Sequence, residues 1–308
     1  MIKSLSWIPL LFFVIGCNKK ATEIESFKVS FYNLENLMDT NDDPQKNDNE
    51  FLPNGRYKWT DQKYKIKLKN IAKVIETITP DVLGLAEVEN IQVINELVKE
   101  FENSNYEIAH TESYDIRGID VALIFKKDLF TLISKEDITA RLSNGKYAGP
   151  RNILKVKLKT TQGRILDFYV NHWPSRRKDR YANRLAFSQQ LQQSIQNSTC
   201  KYSIVLGDFN DEPTDVSLLN LINQCPNLQN PFLSLNEDIG TLSYRSQWYI
   251  FDQILIDTQR MKVNTAEIED FNFLKTSTGI PARSFKRNKF YENGYSDHFP
   301  VSVTLDVK

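Results

Sequence analysis

Apolar residues at Phe27, Val29 and Phe31 alternate with polar ones, the two-residue period of a half-buried strand. From Asp61 to Ile78 the period lengthens, and Tyr64, Leu68, Ile71, Val74, Ile75 and Ile78 fall on one helical face. Thr60 is placed to cap that helix and Pro80 to stop it. Short apolar runs predict further strands at 82–86, 119–125, 153–158, 165–171, 203–206, 250–256 and 300–306. Helices are predicted at 91–101, with Ile94, Leu97 and Val98 inward, and at 180–195 and 215–222. Strands outnumber helices, and several neighbouring strands have no helix between them. That pattern predicts mixed sheets packed face to face with helices outside, not one parallel sheet. Met38 to Trp59 breaks the pattern with Asp39, Asp42, Asp43, Asp48 and Glu50 among Pro44, Pro53 and Gly55. It reads as a long loop, of a length that tends to be functional or mobile. Covering a site and binding an ion both remain open for it.

The first residues follow a different logic. Leu5 to Ile15 is mostly apolar but only eleven residues long. A membrane-spanning helix needs roughly 20 apolar residues, so this run predicts the core of a signal peptide. Pro9 inside it also argues against a packed helix. The run closes on Val14-Ile15-Gly16-Cys17, which resembles the bacterial lipobox. That resemblance implies a signal peptide over 1–16, a lipid on Cys17, a polar tether over 17–26 and one domain over 27–308. The expected location is therefore extracytoplasmic, membrane-anchored on the periplasmic side or the cell surface. An ordinary secretory peptide with an incidental cysteine is the alternative.

Charge narrows the partners. The chain has 308 residues with 39 basic and 39 acidic side chains, so its formal net charge is zero. Proteins that hold duplex DNA by charge alone are usually basic, and this balance lends that mode no support. Cys200 and Cys225 match no zinc spacing. A disulfide between them and two separate thiols are both compatible with the sequence.

Polar clusters sit at the ends of predicted strands. Asn33 and Glu35 follow the first strand and Glu87 the second; His172 ends Val170-Asn171-His172. Asp208 and Asn210 lie in Gly207-Asp208-Phe209-Asn210, Asp252 in Phe251-Asp252-Gln253, and Asp297 with His298 in Ser296-Asp297-His298. Carboxylates and carboxamides suit a hard cation such as Mg²⁺, which takes oxygen ligands and keeps several waters. Zinc would call for more than the three histidines present. Imidazoles beside carboxylates are equipment for proton transfer and for stabilising a phosphoryl oxyanion.

Taken in order, these clusters resemble the endonuclease/exonuclease/phosphatase superfamily over nearly the whole domain. The resemblance implies a DNase I-like four-layer sandwich, two packed mixed sheets flanked by helices, with the site at one edge. It implies that Asn33 and Glu87 hold the principal Mg²⁺ (Mn²⁺ being a plausible substitute), with Glu35 and Asp297 as further acids on the metal side. Asp208 and Asn210 would activate water and grip phosphate, and Asp252 would fix the imidazole of His298. His172 points away from abasic-site repair enzymes, which usually lack a histidine there. Which of Asp208 and His298 accepts the proton of water stays open.

Some residues keep two readings. Arg176, Arg177 and Lys178 form a basic run that is either a solvated helix start or a phosphate-binding surface. Arg151 offers the same choice, and Asp120 either lines the site or caps a turn. Trp59, Trp173 and Trp248 could stack on bases or fill the core. The leading expectation is an extracytoplasmic nuclease, active as a monomer on DNA or RNA. The alternative is a phosphodiesterase or phosphatase acting on phospholipid, sphingomyelin or inositol phosphates. A non-catalytic binding module is disfavoured, because no motif position is missing.

Overall fold

The computed structural model describes residues 24–307 apart from 104, 178–179, 201 and 236–238. The expected signal peptide, Cys17, most of the tether and Lys178 lie outside the described residues. The chain begins with β1 (Glu25–Leu37), a long loop holding one 3₁₀ turn (Asn49–Phe51), and α1 (Asp61–Ile78). Then come β2 (Val82–Val88), α2 (Ile91–Lys99), β3 (Tyr106–Thr111) and β4 (Asp120–Lys126). The middle of the chain supplies β5 (Phe130–Ile138), β6 (Ile153–Thr160), β7 (Ile165–His172), α3 (Tyr181–Asn197), β8 (Ser203–Asp208) and α4 (Val216–Gln224). After β9 (Leu228–Gln229), the hairpin β10 (Leu242–Tyr244) and β11 (Gln247–Tyr249) leads to β12 (Asp252–Asp257). The last part holds β13 (Met261–Ile268), the hairpin β14 (Phe285–Lys286) and β15 (Lys289–Phe290), and β16 (Val301–Val307).

The strands form two mixed six-stranded sheets, ordered β13-β16-β1-β2-β4-β3 and β5-β6-β7-β8-β12-β9. Alternation along each strand decides what it faces. Phe27, Val29 and Phe31 of β1 pack with Leu154, Phe168 and Leu206 of the other sheet, whereas Tyr32 and Leu34 face α1 and α2. On the opposite side Tyr169, Val205 and Leu255 meet Phe187 and Leu191 of α3 and Leu218 of α4. The result is the four-layer sandwich expected from the sequence. Each fully buried side chain of this kind contributes about 1.5–3 kcal/mol.

Helix α1 matches its sequence signals: Thr60 accepts from the Lys63 N–H, and Thr79 ends the helix in the left-handed region at φ 53°. Strand β1 departs from expectation by running six residues past Phe31, with a register shift against β2 between Asn33 and Leu37. A second shift interrupts β2 against β4 between Ala86 and Val88. Such bulges re-aim side chains at a sheet's end. The two cysteines are separate thiols, Cys225 buried and Cys200 partly so.

Gly207 lies where β7 and β8 pair most closely. A Cβ there would stand 2.3 Å from the Asn171 carbonyl oxygen, a backbone atom that cannot swing aside. Gly207→Ala should therefore destabilise the fold by about 1–3 kcal/mol, as overpacking does. A shift of urea midpoint smaller than that would show that the two strands can separate at little cost.

The acidic loop after β1 is tied down from within. Asp39, Asp43 and Asp48 spend a carboxylate oxygen each on the backbone N–H of Asn41, Gln45 and Asp43. Phe51 and Trp59 are buried, with ring centroids 5.4 and 5.2 Å from that of Phe285 on β14. Trp59 is core, and its indole N–H donates to the Met38 carbonyl.

Candidate functional site

The two bulges and the end of β8 gather polar side chains where the sheets meet. Glu35, Asn36, Glu87 and Asn210 all have positive φ, between 50° and 60°. Non-glycine residues rarely adopt this conformation, and its concentration at three neighbouring strand ends marks a functional edge. His172 and Asp208 close the ends of β7 and β8 in register with each other, and Asp252 opens β12 opposite Asp208. His298 immediately precedes the final strand's entry and bridges to Leu242.

At the centre, Asp208 Oδ2 accepts from the Asn33 carboxamide at 3.1 Å, and Oδ1 accepts from the Asn210 N–H at 2.9 Å. His172 Nε2 stands 3.6 Å from Asp208 Oδ2 and 3.9 Å from Glu87 Oε1. His298 Nδ1 lies 2.7 Å from Asp252 Oδ2, and its Nε2 is 3.9 Å from Asp297 Oδ1. Asn210 donates from its side chain to the Trp173 carbonyl at 3.0 Å. Asn33, Glu87, His172, Asp208, Asn210, Asp252 and His298 thus belong to one linked group, as the strand-end clusters suggested.

The two imidazoles of the site are pushed in opposite directions. Burial holds His172 well below the usual histidine range, and the guanidinium groups of Arg151 and Arg117 reinforce this. Burial also opposes a proton on His298, but the Asp252 carboxylate against Nδ1 overrides it and raises that imidazole well above its ordinary value. Asp208 is pushed up to about 7 by burial and then by the charge of Asp252. In the metal-free protein at pH 6.5, imidazole ¹⁵N shifts should therefore show His172 neutral and His298 doubly protonated. Asp252→Asn should remove the proton from His298; a His298 still cationic in that variant would refute Asp252 as its cause.

The donor set fits a hard divalent cation. Ligand atoms of Asp208, Asp252 and His298 lie within 4.8 Å of one another. Asp252 Oδ1 is buried without a hydrogen-bond partner, an orphaned oxygen of the kind a cation or its water satisfies. Glu87 adds a further carboxylate beside them, while Asn33 turns its amide nitrogen to Asp208 and accepts the Glu35 N–H on its Oδ1.

Other expectations need correction. Glu35 was expected among the metal-side acids, but its oxygens accept from Arg283 Nε at 2.8 Å and from the Ser284 N–H at 2.6 Å. It clamps the 283–285 segment to β1 and does not stand open to a cation. Asp297 also pairs with Arg283, at 2.9 Å, on the far side of His298. Asp120 is fully buried; its oxygens meet His110 Nε2 at 3.1 Å and the Ser113 N–H at 2.9 Å, so it closes a turn out of substrate's reach. Arg151 is buried too, donating to the Trp173 carbonyl and lying 3.6 Å from Asp115. It is an interior strut that charges the wall beside His172. Arg176 is paired with Asp215 and lies 3.5 Å from Asp211, while Arg177 is exposed. Trp173 is core, and half-buried Trp248 stacks on Phe299.

Three residues escaped the sequence reading. Arg117 is half exposed in the loop before β4, ion-paired to Asp115 at 3.3 Å. Arg283 bridges Glu35 and Asp297 from a loop with no regular pattern. Lys67 is fully buried, with Nζ 3.0 Å from both the Glu35 carbonyl and Ser284 Oγ. Lys67 left a signal: it sits three residues after Tyr64 and four before Ile71, on the apolar face of α1.

A sequence model described as "Endonuclease/Exonuclease/phosphatase family" matches residues 28–307. No significant match is found among curated protein sequences. Among solved structures, an endonuclease/exonuclease/phosphatase family protein from Bacteroides thetaiotaomicron superposes with TM-score 0.65 at 17% identity, over 93% of this chain and 99% of that one. A mannosyl-6-phosphatase from Bacteroides thetaiotaomicron gives 0.62 at 18%, over 91% and 99%. D. rerio TDP2 complexed with single strand DNA product gives 0.62 at 15%, over 91% and 98%. At these identities the likeness speaks for the fold.

Proposed function

The chain belongs to the endonuclease/exonuclease/phosphatase family, and on that premise we propose that it is an extracytoplasmic Mg²⁺-dependent nuclease, with Mn²⁺ as a working substitute. Family membership supports a phosphoric ester hydrolase. The observation that carries the chemistry is the buried arrangement of two histidines at one strand edge, His172 Nε2 3.6 Å from Asp208 and His298 Nδ1 2.7 Å from Asp252. Asn33, Glu87 and Asp252 would hold the cation, which supplies Lewis-acid polarisation of a phosphoryl oxygen, leaving Asp208 to act on water.

This chain's own groups do the rest. His298, cationic through Asp252, cannot take a proton; it donates from Nε2 to a phosphoryl oxygen as negative charge builds there. Asp208, with its basicity raised by burial and by Asp252, is the group suited to accept the proton of the attacking water. Neutral His172 and the Asn210 carboxamide stand beside it to hold the phosphate's other oxygens. On this reading Asp208, not His298, is the base.

Nucleic acid as the substrate is supported by the structural likeness to TDP2 complexed with single strand DNA product. The cationic side chains of Arg117 and Arg177 on the surface of this end of the sheets point the same way. Export and a lipid on Cys17 rest on the first 17 residues of the sequence alone. A sugar- or lipid-phosphate ester is the second reading, favoured by zero net charge and by the equal likeness to the mannosyl-6-phosphatase.

The deciding experiment offers plasmid DNA, RNA, sphingomyelin, inositol phosphates and mannose 6-phosphate to the chain from Ile24 onward. Cleavage of DNA or RNA should appear with Mg²⁺, stop with EDTA and return with excess Mn²⁺. Turnover of the lipid or sugar phosphates alone would transfer the function to the second reading. Undiminished activity in EDTA would defeat the cation assignment.

A further inference from the structure

Loops beside His172 carry an exposed aromatic cluster that the hydrolytic chemistry leaves unused. Tyr114, Ile116 and Tyr147 are 66%, 67% and 51% exposed. The rings of Tyr114 and Tyr147 are stacked, with centroids 5.5 Å apart and planes 23° from parallel. The Arg141 guanidinium lies 4.5 Å from the Tyr147 ring centroid.

This cluster is built rather than incidental. Arg141 and Tyr147 face each other across an antiparallel bridge, closed by Leu142 N–H to Lys146 O at 2.8 Å and Ala148 N–H to Ala140 O at 2.9 Å. Tyr114 belongs to a different loop, and its N–H donates to the Pro150 carbonyl at 2.8 Å, which fixes the two loops side by side. The path to the site is short in chain terms. Asp115, next to Tyr114, pairs with Arg117 and Arg151, and Arg151 donates to the carbonyl of Trp173, the neighbour of His172. Water-exposed rings stacked on each other, with the Arg141 guanidinium over Tyr147 and one face of Tyr114 left for a ligand, suit a flat group attached to an anionic backbone.

We infer that Tyr114 and Tyr147, with Arg141 beside them, form a stacking subsite for a nucleobase of single-stranded nucleic acid whose backbone runs past Arg117 to the hydrolytic centre. The subsite deepens the nuclease reading and rests on it. A paired base inside a duplex hides its faces, so the subsite selects unpaired strands. An exposed apolar patch can alternatively rest on a lipid surface. The parallel rings and the guanidinium favour the strand, because stacking and charge are then both used by one ligand.

The test separates stacking from charge. Fluorescence anisotropy would compare a labelled oligothymidylate with an abasic strand of equal length and charge. Both are offered to the full chain carrying His298→Gln, with EDTA present, so that binding is read without turnover. The base-bearing strand should bind about ten-fold more tightly, within the range of one base–aromatic stack. Y114A/Y147A should bring that preference to within about two-fold, and Y114F/Y147F, which keeps the rings, should restore it. Equal affinity for both strands, or a preference that survives Y114A/Y147A, overturns the subsite. So does retention on anionic lipid vesicles by the parent chain but not by Y114A/Y147A, with strand binding unchanged, which assigns the patch to a membrane.

The parent chain's hydrolysis of DNA and RNA is scored in parallel. Cleavage without base preference sinks the subsite and leaves the nuclease reading standing. Base preference removed by Y114A/Y147A, in a chain that cuts no nucleic acid, sinks the nuclease reading and leaves the subsite.

Discussion

Replacing His298 with glutamine should lower kcat/KM on a phosphodiester by about a thousand-fold. Glutamine is the informative choice because alanine would leave the Asp252 carboxylate buried with no partner, a folding penalty in its own right. Glutamine keeps a donor near Asp252 but cannot carry the charge that Asp252 sustains on the imidazole at 2.7 Å. What disappears is a cation aimed at developing negative charge in a water-poor site, where such an interaction counts for more than in solution. Because Asp252 also stands among the groups that would hold the cation and raises the basicity of Asp208, Asp252→Asn combined with His298→Gln should be worse than His298→Gln alone. Steady-state kinetics with thermal melts alongside would measure this. A loss below ten-fold in a folded variant would remove His298 from the reaction.

The second large effect is on folding. Lys67→Met should destabilise the chain by about 3 kcal/mol or more, read from urea unfolding. Burial pulls the Lys67 amine down to about 8, while the carboxylate of Glu35 resists. Its Nζ is the hydrogen-bond donor between the β1 bulge, at the Glu35 carbonyl, and the loop, at Ser284 Oγ. Methionine fills the volume but leaves both acceptors buried without that donor and Glu35 with one cation fewer. The pH dependence has a definite sign. The folded amine titrates near 8 and the unfolded one near its ordinary 10.5, so between these values the unfolded chain binds more protons and wild-type stability rises with pH. The deficit of Lys67→Met should therefore widen from pH 8 to pH 10.5. A deficit that is constant across that range would show that Lys67 does not titrate as its burial implies. Activity should fall as well, since the 283–285 segment carries Arg283 to Asp297 beside His298.

Which features the sequence disclosed follows from where information is local. Helix α1 announced itself because its cap, its apolar face and its stop lie within one short stretch. Among strands of six or more residues it did not disclose β3, β5 and β13, and these are sheet edges. β5 buries only Phe130 and Ile138, at its two ends, so it has no alternating stripe to read. An edge strand is held by one neighbour's backbone and needs no apolar stripe of its own to form. The site divides in the same way. Asn33, Glu87, His172, Asp208, Asn210, Asp252 and His298 were visible because each ends or opens an apolar run. The true partners of Glu35 lie 248 and 249 positions away at Arg283 and Ser284, and nothing in Leu34-Glu35-Asn36 points to them. Arg151 and Asp120 each keep two readings in the sequence, and only packing reveals that both are interior.

The order in which the chain lays down its sheets has a consequence for how it is made. It builds four strands of the first sheet, completes the second sheet without interruption, and then returns to close the first with β13 and β16. Strand β1 lies between β2 and β16, pairing Glu25 with Val307 at the far end of the chain. A nascent chain leaving the ribosome can therefore fold the second sheet early, while β1 waits with one edge bare until the final strand emerges. His298 arrives just ahead of that strand. A nascent chain that has not yet made residues 301–307 would hold most of the site's groups while β1 still lacks its β16 neighbour.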